Sequence, residues 1–330
     1  MNFIHKHWRK ILASTMLSFL LIAGSLIVWA GSEIASPPRR ALMDYHREYL
    51  TKPSNHGIQI DSFVASDGTP CLVVSPSGTL AMRGTIIRKQ LAEKGIGLAD
   101  FGTIQGTLVL IHGRKGRKED YLPIAERFCA CGFRCIIPDL PAHGDHPLKT
   151  ATYGINEGGL PARVLAESAR KFGFAGQPAG LMGLSMGGSV AIHSAAEPNA
   201  PWKTLVIVAS FDALSRVIDG QAKRYIGSTL GQIGLKASST IFTHKTAIPL
   251  SAITPAKLAK TLHIPTLVAH GTADTVIPIA SGRRLFDALP ANIPKRWLEI
   301  PQAGHDDVLV TDYPIYAELA AWLLLHMGNH

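Results

Sequence analysis

The 330-residue chain reads as an α/β protein: a mostly parallel sheet with helices on both faces, an inserted cap, and one N-terminal helix long enough to span a membrane. Three observations predict this. From residue 107 onward, short continuous apolar runs alternate with helically spaced text, the pattern of strands buried on both faces. Residues 211–262 separate two such runs where a short connection is usual. Residues 11–30 (ILASTMLSFLLIAGSLIVWA) carry no charge, and Lys6, Arg9 and Lys10 precede them.

Composition narrows the class further. At 46% hydrophobic and 17% charged residues, the chain is globular rather than disordered. A single long apolar run excludes a multi-span membrane protein. Four cysteines are too few for a disulfide scaffold. The net charge of +9 (33 Lys and Arg against 24 Asp and Glu) is spread along the chain apart from the cationic N-terminus. It is not a nucleic-acid footprint, and no nucleic-acid partner is expected.

Residues 1–30 are expected to be a signal anchor or signal peptide. Twenty helical residues match the roughly 30 Å hydrocarbon core, which makes residues 11–30 a membrane attachment. Val28 and Ala30 stand at small-residue cleavage spacing before Gly31, which keeps a cleaved signal open, and a buried helix is the third possibility. On either export reading the basic end stays in the cytoplasm. The main domain is then membrane-anchored and extracytoplasmic, or secreted or periplasmic after cleavage. Residues 31–57 read as a linker, stiffened by Pro37-Pro38, plus a short helix.

Residues 58–330 form the predicted domain. IQIDSFVASDG and TPCLVVSPSG make a hairpin around Asp67-Gly68. Helix-like text follows within 79–103. TLVLIHG (107–113), FRCIIPD (133–139), AGLMGLS (179–185), TLVIVAS (204–210) and IPTLVAHG (264–271) read as strands, with a further strand and loop in RWLEIPQAGH. Helices are expected at 121–132, 160–172, 186–197, over SGRRLFDALP and at the C-terminus. The Gly-, Ser- and Thr-rich stretch 211–262 is expected to form a cap of weak helical pieces. Residues 140–159 make a second, shorter excursion. Cys71, Cys129, Cys131 and Cys135 read as small buried thiols, and an exported chain would also permit one disulfide.

GLSMG (183–187) is a G-x-S-x-G sequence between a predicted strand and a predicted helix, the context that such a nucleophile turn requires. A turn this sharp crowds its neighbours, so glycines flank Ser185. The helix N-terminus behind it favours a developing negative charge. A serine nucleophile needs a base, and the base needs an orienting acid. HGTADTVIP places Asp274 just past a strand end, and EIPQAGHDDV places His305 in the loop after the final strand. Asp212, after TLVIVAS, is the competing position for the acid. HGRKG follows the strand at 107–113, so the backbone N–H groups of Arg114 and Met186 are the expected oxyanion donors. His112 is expected to be a structural hydrogen-bonder.

With HGRKG, PDLPAHGDHP (138–147), GLSMGG, HGTADTVIP and AGHDDV in place, the chain resembles a serine hydrolase of the α/β-hydrolase superfamily, of esterase, lipase or serine aminopeptidase type. The resemblance covers about residues 58–330. It implies an eight-stranded sheet with one antiparallel strand near its start. Ala142 departs from the superfamily's usual text, which has Gly there. The resemblance implies Ser185, His305 and Asp274 acting on a small-molecule acyl substrate, a carboxylic ester first, through an acyl-enzyme. Acyl transfer, thioester or peptide cleavage use the same residues, and an inactive binding module is the non-enzymatic alternative. No cofactor or metal is expected: His143, Asp145 and His146 belong to the His-Gly loop. The run Arg114, Lys115, Arg117 and Lys118 reads as a solvated turn, with selection of an anionic substrate as its alternative. The oligomeric state is not legible in the sequence.

Overall fold

A computed structural model describes residues 2–328, without the side chains of residues 2–6, 9, 10, 13, 19, 20, 23 and 26. The expected cationic flank Lys6, Arg9 and Lys10 therefore lies outside the described side chains. The chain opens with α1 (Asn2–Ala35) and α2 (Asp44–Thr51), then the hairpin β1 (Ile58–Val64) and β2 (Pro70–Pro76). It continues through α3 (Met82–Glu93), β3 (Gly106–Ile111), α4 (Leu122–Ala130), β4 (Phe133–Pro138), α5 (Leu160–Phe172), β5 (Ala179–Leu184), α6 (Met186–Ala195) and β6 (Trp202–Val208). After the inserted α7 (Leu214–Thr246) come α8 (Pro255–Ala259), β7 (Thr266–Gly271), α9 (Ile279–Ala288), β8 (Lys295–Ile300) and α10 (Ile315–Met327).

The strands form one sheet in the order β1-β2-β4-β3-β5-β6-β7-β8. β2 is antiparallel to both of its neighbours, and every pairing from β4 to β8 is parallel. This is the eight-stranded, mostly parallel sheet that the resemblance implies. The continuous apolar runs have a simple cause. Alternate residues of one strand face opposite layers, and both layers are covered. Val109, Ile111, Leu181 and Ile207 pack with α5, α6 and α9 on one face. Leu108, Leu110, Met182 and Val206 pack with α4 and α10 on the other. All four cysteines are buried free thiols.

Two expectations are corrected. Residues 11–30 lie within α1, yet among the described residues no helix is long and apolar enough to cross a membrane. The expected transmembrane helix and signal anchor are therefore not supported. α1 also runs past residue 30, so residues 31–35 are helix and not linker. Its last turn docks on the domain, where Ile34 and Ala35 are buried and Gly31 packs against Ile241 of α7. The cap is the second correction. Residues 214–246 are helical throughout except at Gly227, whose φ of 77° and ψ of 171° turn the chain back. A Cβ on Gly231 would lie 3.0 Å from the backbone nitrogen of Lys223, so the two arms pack closely beside the turn. Glycine here does not loosen the segment; it permits a tight helical hairpin.

Candidate active site

Ser185 sits between β5 and α6 with φ 54° and ψ −117°, a conformation that L-residues avoid. Its surroundings enforce it. A Cβ on Gly183 would lie 2.1 Å from the Gly187 carbonyl oxygen, and one on Gly187 would lie 2.3 Å from that of Ile111. The backbone is tied as well: the Ser185 N–H donates to Val208 O at 2.9 Å, and Ser210 Oγ donates to Ser185 O at 2.8 Å. The hydroxyl is thereby held out from the sheet's carboxyl edge at the start of α6. Sequence reasoning did not find Ser210; its only signal is its place at the end of the TLVIVAS run.

The loops after β7 and β8 bring two more side chains to that hydroxyl. The loops are laced together, with Ala273 N donating to Ala303 O at 3.0 Å. A Cβ on Gly271 would come 2.2 Å from the Ala303 oxygen, so only glycine permits this approach. As a result His305 Nε2 lies 3.0 Å from Ser185 Oγ, and His305 Nδ1 lies 2.7 Å from Asp274 Oδ2. The second oxygen of Asp274 accepts the N–H groups of Val276 (2.9 Å) and Ile277 (2.8 Å). Burial on its own would raise the Asp274 carboxyl. Hydrogen bonding from His270 and His305 outweighs burial and holds the carboxyl well below its ordinary value. His270 is fully buried and donates from Nε2 to Ile277 O at 2.8 Å, bracing the turn that carries Asp274. The HG pair of HGTADTVIP thus has a role that sequence reading missed.

The remaining predicted residues fall as follows. The Met186 N–H is the first of α6, and a helix's first N–H groups lack intrahelical partners. A Cβ on Gly113 would lie 3.4 Å from Ser185 Cβ, so the Gly113–Arg114 backbone passes directly beside the serine. His112 Nε2 accepts the Leu140 N–H at 3.0 Å and its Nδ1 donates to Gly113 O at 2.9 Å, as expected of a structural hydrogen-bonder. Asp212 is engaged elsewhere: it holds Arg216 at 2.7 Å, Arg284 at 2.8 Å and the Ser281 hydroxyl at 2.5 Å.

The basic run is committed to internal pairs. Arg114 Nη2 reaches Glu33 Oε2 of α1 at 3.2 Å, and Lys115 reaches it at 3.6 Å. Arg117 pairs with Glu119, and Lys118 with Asp139. Asp145 is taken by Lys118 and Arg117, and among the described residues no group of three or more His, Cys, Asp or Glu is arranged for a metal ion. Ala142 adopts φ 68°, the conformation for which the superfamily's usual glycine is suited. Neighbouring Gly144 cannot be replaced so readily, since its Cβ would lie 2.1 Å from Asp139 Oδ1.

A strand–turn–helix serine, a histidine and a carboxylate at the carboxyl edge of this sheet define an α/β hydrolase. Residues 108–321 match the Alpha/beta hydrolase family, and the chain belongs to it. A cutinase of Thermobifida cellulosilytica is 29% identical over 133 residues, 40% of this chain and 50% of the cutinase. A cutinase of Thermobifida fusca is also 29% identical over 133 residues, 44% of its length. The matched stretch thus spans about half the length of these curated relatives. Among solved structures, an esterase of Pyrococcus furiosus superposes with a TM-score of 0.62 at 16% identity, covering 89% of this chain and 100% of that one. At such identity the likeness is one of fold.

Proposed function

We propose that the protein is a serine hydrolase that cleaves a carboxylic ester. The observation that carries the reading is the chain of contacts from Ser185 Oγ to His305 Nε2 (3.0 Å) and from His305 Nδ1 to Asp274 (2.7 Å). Ser185 attacks the ester carbonyl while His305 takes its proton. The carbonyl oxygen becomes an oxyanion received by the N–H groups of Arg114 and Met186. His305 then passes the proton to the leaving alcohol, and an acyl-enzyme remains. Water, deprotonated by the same imidazole, releases the acid and restores the hydroxyl. Asp274 stays ionised throughout and stabilises the imidazolium. The cutinases and esterases among its relatives support the ester as the acyl bond cleaved.

The reading has a direct test. A fluorophosphonate probe should label the protein at Ser185, and nitrophenyl acetate should be turned over. Ser185→Ala should abolish labelling and lower kcat by about 10⁵–10⁶-fold, the scale of a unit-acting serine, histidine and carboxylate. Ester turnover surviving within tenfold in that variant overturns the assignment.

We also propose that the enzyme lies against a lipid surface. Ile11, Leu12, Met16, Leu17, Leu21 and Ile22 of α1 are each more than half exposed, as are Tyr225 and Leu230 at the hairpin tip of α7. Apolar surface of this extent supports lying against lipid. Vesicle flotation checks this, and a protein that stays wholly in the soluble fraction with lipid present removes the placement.

A further inference from the structure

The first arm of α7 and the loop after β7 border an open cavity of about 360 Å³ that the reaction above does not use. Arg216 and Arg224 enter it from α7, two turns apart on one helix face, and Arg284 enters from α9 opposite. One acid faces the three, and it serves two of them. Asp212, 4% exposed, binds Arg216 Nη1 at 2.7 Å and Arg284 Nε at 2.8 Å. Arg224 has no carboxylate partner among the described residues; its Nη1 donates to the Thr275 carbonyl at 3.1 Å. Lys223, next to it in sequence, is paired with Asp219, so that acid is also occupied. Three guanidinium groups against Asp212 leave a formal charge of +2 around the cavity, or +1 with the ionised Asp274 behind Val276 counted as well.

We propose that this cavity binds a phosphate or phosphate-ester group. Such a group carries about −1.5 to −2 charges at neutral pH, opposite in sign to the excess of guanidinium around the cavity. Guanidinium groups present planar forks of donors suited to phosphate oxygens, and Asp212 holds two of them in place before any ligand arrives. One wall is Thr275–Val276, and the Val276 N–H donates to Asp274 itself, so the bound group lies beside the proposed catalytic loop. A phosphate there belongs either to the substrate or to a free anion that modulates the site. The substrate case rests on the ester-hydrolase reading; the binding itself does not.

Calorimetric titration of inorganic phosphate into the 330-residue protein at fixed ionic strength is the test. One saturable site per chain is expected, weakened at least tenfold in Arg284→Gln and in Arg224→Gln. The second variant removes no ion pair and so tests the site without disturbing Asp212. Absence of saturable heat, or equal affinity in Arg224→Gln, overturns the proposal. Two kinetic arms separate the sources. If the phosphate is part of the substrate, an ester bearing a phosphate is preferred over its neutral analogue by at least tenfold in kcat/KM, and Arg224→Gln lowers that ratio. If it is a free anion, inorganic phosphate changes turnover of the neutral ester and no such preference appears. Binding without any ester turnover would remove the hydrolase reading and leave the subsite standing.

Discussion

Asp274 and Asp212 both follow strand ends, and both are buried carboxylates held below their ordinary range. Their partners separate them. Asp274 faces an imidazole that faces Ser185, whereas Asp212 faces two arginines and a serine. Asp274→Asn should therefore lower kcat by about 10⁴-fold, through the wrong tautomer of His305. Asp212→Asn should act chiefly on stability, by releasing Arg216 and Arg284 from an uncharged amide. Ester kinetics with thermal unfolding on both variants checks this; a larger kcat loss for Asp212→Asn would reverse the assignment. The His-Gly loop offers a second contrast between neighbours. Ala142→Gly relieves about 1–2 kcal/mol of left-handed strain. It also loses about 0.8 kcal/mol of methyl burial and about 0.4–1 kcal/mol of unfolded-state restriction. These terms nearly cancel, so urea unfolding should show a change below about 0.5 kcal/mol, which explains why alanine is tolerated there. Gly144→Ala drives a methyl into Asp139, the acceptor for Lys118 Nζ and for the Lys118 and Asp145 N–H groups. It should cost more than about 2 kcal/mol, as losses within buried charge networks do.

At the scale of elements, α1 and α7 form one unit above the sheet's carboxyl edge. The end of α1 is bound three ways: Glu33 to Arg114, Ile34 O to the Tyr153 hydroxyl at 2.8 Å, and Ala35 O to Ala151 N at 2.8 Å. On the inner face of α7, Phe242 is fully buried and lies 6.2 Å from the Tyr153 ring. Ile226, Leu230 and Ile233 point outward, between 50% and 60% exposed, so they do not line an acyl pocket. The hairpin depends on Gly227, whose φ and ψ belong to a region essentially reserved for glycine. No atom crowds its missing Cβ, so the penalty for alanine there is purely conformational, about 1–3 kcal/mol. Gly227→Ala should open the hairpin before it unfolds the domain. Limited proteolysis should then cut within 220–235 at least tenfold faster than in the parent while the sheet's melting transition is kept. Unchanged cleavage would show that the turn does not rest on this residue.

Across the whole molecule, stability should fall in mild acid. His143 is buried, and burial first, then the neighbouring His112, pushes its pKa down to about 3. Burial also lowers His112, His146 and His193. In the unfolded chain these groups take protons near pH 6.5. Between about pH 6.5 and about pH 3 the unfolded state therefore binds more protons, and stability drops as pH falls through that window. Asp274 adds to the loss at the acid end, since its depressed carboxyl contributes stability above the ordinary carboxylate range that disappears as it is protonated. Urea midpoints at pH 7, 5 and 4 should decline steadily, and His143→Gln should flatten the decline. A midpoint independent of pH over this range contradicts the account.

What could be read from residue order was whatever is local. Continuous apolar runs mark strands because both faces of each strand are covered, a property carried within six or seven residues. Ser185 was legible because its turn demands glycines two residues to either side. Asp274 and His305 were legible because each follows its own strand end. The contacts decided only by tertiary structure join residues far apart in the chain. Glu33 meets Arg114 across 81 positions, and Asp212 meets Arg284 across 72. No local pattern records such pairs, so Glu33 read as part of a linker and Arg114–Lys118 as a solvated turn. The same holds for α7, whose glycines look like looseness in a one-dimensional text. Only the packing of one arm on the other shows that Gly231 is needed for closeness and Gly227 for the turn. The N-terminal segment is the sharpest case. Its apolar run signals a membrane span, but the docking of its last turn depends on Tyr153, Ala151 and α7, none of which its own sequence contains.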